Sequence, residues 1–166
     1  SVVSRSRIED LDVDRWTLSN GIRMTLKKTD FKEDEVLFVA FSPGGTSRVS
    51  LDDHVPAQSA VSVVQGGGLG RFSLVHLNKK LAGQVVSLAP YLQELQEGFS
   101  GSCSPRDLET FFQLIHLWFT APRKDQAAFY SFCQRTRAAL GNRLADPNAV
   151  FSDMMRTVMS PGPSPA

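Results

Sequence analysis

Residues 104–119, SPRDLETFFQLIHLWF, decide the fold class, because the hydrophobic period changes there. Ser104 is a natural N-cap, Pro105 stands at the first helical position where its missing N–H costs nothing, and Asp107 suits the positive end of the helix dipole. Leu108, Phe111, Phe112, Ile115 and Phe119 recur at helical spacing, while Glu109, Gln113 and His116 share another face. The spacing predicts an amphipathic helix. Two more are expected after it. One spans about 123–140, with Phe129, Phe132, Cys133 and Leu140 on its apolar side and Gly141 as its stop. The other starts at Asp146-Pro147 and carries Val150, Phe151, Met154, Met155 and Val158 as far as Pro161.

Upstream of residue 104 the period is mostly two. In RWTLSNGIRMTLKK, Trp16 and Leu18 alternate with polar neighbours, as do Ile22, Met24 and Leu26, around Asn20-Gly21. That pattern predicts a β-hairpin closed by a type I′ turn. VLFVAF, residues 36–41, is apolar without a break and predicts a central strand covered on both faces. SPGG then interrupts it. Residues 53–65 permit a helix capped by Asp52 or Asp53, with Pro56 tolerated only in a first turn. Ser73 caps a short helix through Leu81, ended by Gly83, and residues 84–102 read as one or two strands in which Pro90 marks an edge or a bulge. Strands, a helix, more strands and a run of helices together predict α+β: a mostly antiparallel sheet with helices packed on one face.

Composition removes several function classes. Lys plus Arg number 18 against 17 Asp plus Glu, giving a net charge of +1 and no field to gather nucleic acid. No apolar run approaches the length of a membrane span. The two cysteines, Cys103 and Cys133, form neither a CxxC pair nor a disulfide framework, and both are expected as buried free thiols.

Zinc requires three or four converging N, S or O ligands, commonly two from one helical turn. His54, His76 and His116 are widely separated, with no second His or Cys within a turn of any of them. Gly66-Gly67-Gly68-Leu69-Gly70 follows a helix and lacks the lysine of a phosphate loop, so a flexible exit loop is expected. Gly98-Phe99-Ser100-Gly101-Ser102 misses the serine-hydrolase elbow at its last position. The carboxylates Asp52, Asp53, Glu94, Glu97 and Glu33-Asp34-Glu35 read as caps, turns and solvated edges. Arg123 and Lys124 most simply face water. The residues thus offer no catalytic, cofactor-binding or metal site.

The order of elements and three phrases, LSNGIRMTLKKTDFKEDEVLFVAFSPGG, LNKKLAGQVVSLAPYLQELQEGFSGSCSPRDLETFFQLIHLWFTAPRKD and NRLADPNAVFSDMM, resemble the pitrilysin or insulinase-type zinc metallopeptidases. The resemblance covers residues 16–160 and implies the metallopeptidase-like fold of LuxS and the mitochondrial processing peptidase. In that family the domain opening the first half carries H-x-x-E-H on the helix after the third strand. At the corresponding place this chain has Ala57, Gln58, Ser59, Ala60, Val61 and Ser62, so no ligand can be carried over. The resemblance therefore implies the domain opening the second half, which keeps the fold and encloses peptide without metal.

The expected organisation is an N-terminal extension or linker at 1–15, an inactive peptidase domain at 16–160 and a flexible tail at 161–166. Zinc would reside in the catalytic half of the parent protein, which with the peptide substrate is the implied partner. An extracytoplasmic bacterial setting goes with the resemblance, although no residue establishes it. A stand-alone scaffold or peptide-binding protein, offering an edge strand within 84–99, is the alternative.

Overall fold

The computed structural model describes residues 1–159, which form two compact units, Ser1–Glu35 and a second from Val36 onward. The tail expected at 161–166 lies outside the described residues. In the first unit, β1 (Val2–Ile8), β2 (Val13–Leu18) and β3 (Arg23–Leu26) make an antiparallel sheet in that order. The segment 1–15, expected as an extension or linker, thus contributes β1, whose register runs from Val2↔Leu18 to Ile8↔Val13. Arg5 lies opposite Trp16 and stacks its guanidinium 4.8 Å from the ring centroid, covering an apolar surface while keeping its charge wet.

The hairpin at Asn20-Gly21 forms with a different turn from the one expected. Only Gly21 takes a positive φ, 85°, and Leu18 and Ile22 close around a three-residue loop through Leu18 N–H to Ile22 O at 2.8 Å. This is the geometry of a turn ending in a left-handed glycine, whereas type I′ requires positive φ at both central residues.

The second unit holds β4 (Val36–Pro43), β5 (Val86–Leu92) and β6 (Gln96–Cys103), antiparallel in the order β4-β6-β5. The helices are α1 (Leu51–Gly67), α2 (Leu74–Lys80), α3 (Leu108–Thr120), α4 (Gln126–Asn142) and α5 (Pro147–Met159). The α+β class is as expected. The position of β4 is not: it is an edge strand of this sheet, and only one of its faces is covered. Phe38 meets the Phe111 ring of α3 edge-on at 5.1 Å, while Leu37, Val39 and Phe41 on the opposite pleat are exposed. A continuous apolar run looks the same from sequence whether one or two faces are buried. The expectation for β5 was sound, since Pro90 sits in the other edge strand, where its missing N–H need not break a ladder.

The core lies between this sheet and α3. Phe111 and Cys103 are each 1% exposed, Leu114 is buried, and Phe99 approaches Trp118 at 6.1 Å. The buried face of α3 is therefore centred on Phe111 and Leu114, and the expected stripe residues Phe112 and Phe119 stand at its margin, Phe119 being 72% exposed. Ser104 caps the start as predicted, its hydroxyl accepting from Asp107 N–H at 3.3 Å across a short 3-10 turn. α4 packs on α1 and continues through Gly141, where the sequence suggested a stop. Cys133 on α4 is exposed, correcting the expectation of two buried thiols. α5 starts at Pro147 as expected and is clamped to the preceding turn by Arg143, whose Nε and Nη2 bond Asp153 at 2.9 and 2.6 Å.

Candidate functional site

In chain order, α1 occupies the place where the resemblance puts a metal-binding helix. It is longer than predicted at both ends and is capped by Ser50, whose hydroxyl accepts from Asp53 N–H at 3.2 Å. Asp52 and Asp53, expected as the cap, instead fill the first turn, where their charge meets the helix dipole. Pro56 lies beyond that turn, and the helix continues through it.

The segment before α1 is bound to the β5–β6 connection by three backbone bonds and to β6 by a fourth. Gly44 N–H donates to Leu95 O at 2.9 Å, Thr46 N–H to Gln93 O at 2.9 Å and Ser47 N–H to Glu94 O at 2.8 Å; Gly45 N–H meets the Glu97 carboxylate at 2.6 Å. Gly45 has φ 66°, and a Cβ there would lie 2.2 Å from Gln93 O, so only glycine allows this approach.

The strapping leaves a groove of about 500 Å³ between α1 and the β5–β6 turn. Its walls include Thr46 and Ser47 on one side, His54 and Gln58 on α1, and Leu92 and Glu94 on the other. His54 Nε2 and Gln58 Nε2 are 2.9 Å apart, one helical turn from each other. This is the chemistry of hydrogen bonding and shape: one imidazole, the amides of Gln58 and Gln93, two hydroxyls and one carboxylate. A zinc ion does not fit that donor set, because the groove brings together one imidazole and one carboxylate, short of the three or four ligands that zinc needs. Among the described residues no group of three or more His, Cys, Asp or Glu is placed to hold a metal ion.

The other candidates are dispersed. His76 sits in the first turn of α2 with Nδ1 3.2 Å from Ser73 Oγ. His116 lies on the outer side of α3, with Glu109, Phe112 and Gln113, along an open surface hollow. Ser100 is in the middle of β6, paired with Val39 and Ala89, and not on a strand-to-helix elbow. Arg123 is half-buried and bonds Asp125 at 3.4 Å.

The glycine run is a packed crossing, not the flexible exit expected. Leu69 is 1% exposed, Gly68 O accepts from Arg123 N–H at 3.2 Å, and Gly70 N–H donates to Ala121 O at 2.7 Å. A Cβ on Gly67 would lie 2.3 Å from Arg123 O.

Electrostatic perturbation is found at two helix starts, at the Arg143–Asp153 pair and at Cys103. The Asp107 carboxyl is held below the usual carboxylate range, first by the Val85 N–H and then by the Ser104 hydroxyl. The Ala128 N–H lowers Asp125 in the same way, and burial raises the Cys103 thiol. These groups serve structure. The groove itself draws on Leu92–Glu94, which sequence reasoning did not join to α1. Only the SPGG break hinted that the chain returns there.

No family model matches the chain. A probable zinc protease of Haemophilus influenzae named PqqL is 28% identical over 126 residues, covering 76% of this chain and 14% of that protein. A PQQL-like zinc protease of Arabidopsis thaliana is 26% identical over 150 residues, covering 89% of this chain and 13% of that protein. These names support a pitrilysin-type relationship. The ferredoxin protease FusC, solved in complex with Arabidopsis ferredoxin, superposes with a TM-score of 0.81 at 20% identity, covering 95% of this chain and 17% of that one. The pitrilysin-like fold is thus shared with a solved peptidase, and this chain spans about one seventh of the length of the curated relatives it matches. No helix among the described residues is long and apolar enough to cross a membrane.

Proposed function

We propose that this chain is a non-catalytic, substrate-enclosing domain of a pitrilysin-type zinc metalloendopeptidase. The observation that carries the reading is the donor set of α1: a helix in the place the family uses for zinc, in a chain similar to zinc proteases, carrying His54 and Gln58 on its groove side but no H-x-x-E-H. Hydrolysis then belongs to a partner half that holds the metal, and this domain contributes shape, wall contacts and closure around a peptide. The groove beside α1 supplies hydrogen-bonding groups: the His54 imidazole, the Gln58 and Gln93 amides, the Thr46 and Ser47 hydroxyls and the Glu94 carboxylate.

The test is reconstitution. The chain is mixed with a separately expressed half carrying H-x-x-E-H, and association and cleavage of an unfolded peptide are measured. Stable association with raised peptidase activity is expected. An absence of both would sink the proposal.

A second reading, a stand-alone peptide-binding protein, is favoured by one observation: β5 is an edge strand with the groove at its end. An extended peptide could add to that edge, short of the one donor that Pro90 removes. A reading frame that carries an H-x-x-E-H copy upstream would decide for the enzyme.

A further inference from the structure

We infer that Asn20 is a site of spontaneous covalent modification, at which the chain's own Gly21 nitrogen converts the Asn20 side chain, through a cyclic imide, to aspartate and isoaspartate. The inference stands on the first unit alone and does not depend on the peptidase reading.

The reaction needs an asparagine whose following backbone nitrogen can reach its side-chain carbon, and a following residue without a Cβ leaves that path open. Asn20 is the one asparagine of four that precedes glycine. Asn78, Asn142 and Asn148 lie in α2, α4 and α5 and precede Lys79, Arg143 and Ala149. Ser19, Asn20, Gly21 and Ile22 are all exposed at the tip of the β2–β3 hairpin, and nothing lies within 4 Å of the place a Gly21 Cβ would take. Water and base therefore reach both reacting atoms.

Two hydrogen bonds of the turn act on those atoms. Ile22 N–H donates to Asn20 Oδ1 at 3.2 Å, so a donor is already aimed at the oxygen that gains negative charge when Gly21 N adds to Cγ. Gly21 N–H donates to Leu18 O at 2.9 Å, a bond that must open before the nitrogen can attack. That bond is a single one at an exposed tip, and opening it does not remove the Leu18 N–H to Ile22 O bond that closes the loop.

Water is the only co-reactant. The bond from Gly21 N to Asn20 Cγ forms, the Cγ–Nδ2 bond breaks, and Nδ2 leaves as ammonia with the proton given up by Gly21 N. Water then opens the ring. Opening at Cγ gives aspartate at position 20, whereas opening at the main-chain carbonyl gives isoaspartate, which routes the backbone through the former side chain and lengthens it by one atom. Either product adds a carboxylate and takes the formal net charge from +1 to zero. Only isoaspartate alters the main chain of the three-residue loop beside which Thr17 pairs with Arg23 and Trp16 with Met24.

The test incubates the full native chain in mildly alkaline buffer made with heavy-oxygen water, digests it with trypsin in ordinary water, and follows the peptide of residues 16–23 by mass spectrometry. A synthetic peptide of the same residues is aged beside it. Loss of ammonia and then gain of one heavy oxygen are expected in the chain, within about tenfold of the synthetic peptide's rate, the factor that one exposed hydrogen bond is worth. The peptides holding Asn78, Asn142 and Asn148 should stay unchanged over the same period. Gly21→Ala should slow the reaction about tenfold or more in chain and synthetic peptide alike, because the new methyl group crowds the attacking nitrogen. An isoaspartyl-specific methyltransferase should label the aged chain and leave Asn20→Asp unlabelled. Asn20 intact in the native chain after the synthetic peptide has reacted would overturn the proposal, since the turn then shields it. Conversion of the three helical asparagines at an equal rate, product without heavy oxygen, or an aged chain that takes no methyl group would overturn it as well.

Discussion

The backbone N–H of Val85 donates to the carboxylate of Asp107 at 2.9 Å, across 22 residues of sequence, tying the entrance of β5 to the start of α3. The tie is reciprocal, since Ser104 N–H donates to Val85 O at 2.9 Å and Ser104 Oγ to the same Asp107 oxygen at 2.8 Å. Both bonds to the carboxylate favour its ionised form, which is why its pKa falls below the ordinary value. A carboxyl whose folded pKa is depressed adds stability above its unfolded pKa of about 3.9, and that stability is lost as pH falls through the folded value. Thermal unfolding followed by circular dichroism should therefore show an acid-side loss of stability that is smaller in Asp107→Asn. An identical acid limb in both proteins would refute the assignment.

Gly67→Ala should destabilise the chain by about 2 kcal/mol or more, because its new Cβ must displace a backbone carbonyl and not a flexible side chain. Gly141→Ala is the control: nothing lies near its Cβ and it sits inside α4, so the helix should gain up to about 1 kcal/mol. Urea titration of the two variants reads both signs.

Phe111→Ala should cost about 3–5 kcal/mol, the range for emptying a fully buried aromatic site. Phe119→Ala, on the same helix but largely exposed, should cost under about 1 kcal/mol. Comparable losses would mean that the buried face of α3 is misplaced.

Thiol chemistry separates the cysteines. Cys133 is exposed and should react with a maleimide in the native state, while Cys103 should react only on unfolding, being buried with its thiol held in the protonated form by desolvation. Two equally fast thiols would contradict the packing of β6 on α3.

Chelation should leave the unfolding temperature of this chain unchanged, since α1 and its surroundings offer no ligand group of three among the described residues. A fall in unfolding temperature with EDTA, restored by zinc, would show convergence of donors that this fold does not bring together.

What could be read from the residues was local. Ser104 and Pro105 announce the start of α3, Ser73 caps α2, Pro90 marks an edge strand, and the absence of H-x-x-E-H is visible at once. Each depends on neighbours within a turn or a pleat. The errors arose where distant chain decides. Ser50 outcompeted Asp52 and Asp53 as cap because the strapped loop before it sets where the helix begins. The one-sided burial of β4 depends on which strand lies beside it, and the tight packing of Gly67 and Leu69 on the arrival of Arg123 and Pro122. The groove was hidden for the same reason: His54 was visible, but Leu92 and Glu94 reach it through tertiary structure alone.

The crossing of Gly67 and Gly68 with Arg123 also orders events during synthesis. α1 is complete long before Arg123 leaves the ribosome, so its glycine end must wait, with Gly68 O unpartnered, while β5, β6 and α3 are made. The contact closes a loop of more than fifty residues, and no part of it can exist until residue 123 has been made. A chain cut short before residue 123 would own every strand of the second sheet and still lack the contact that seats the end of α1.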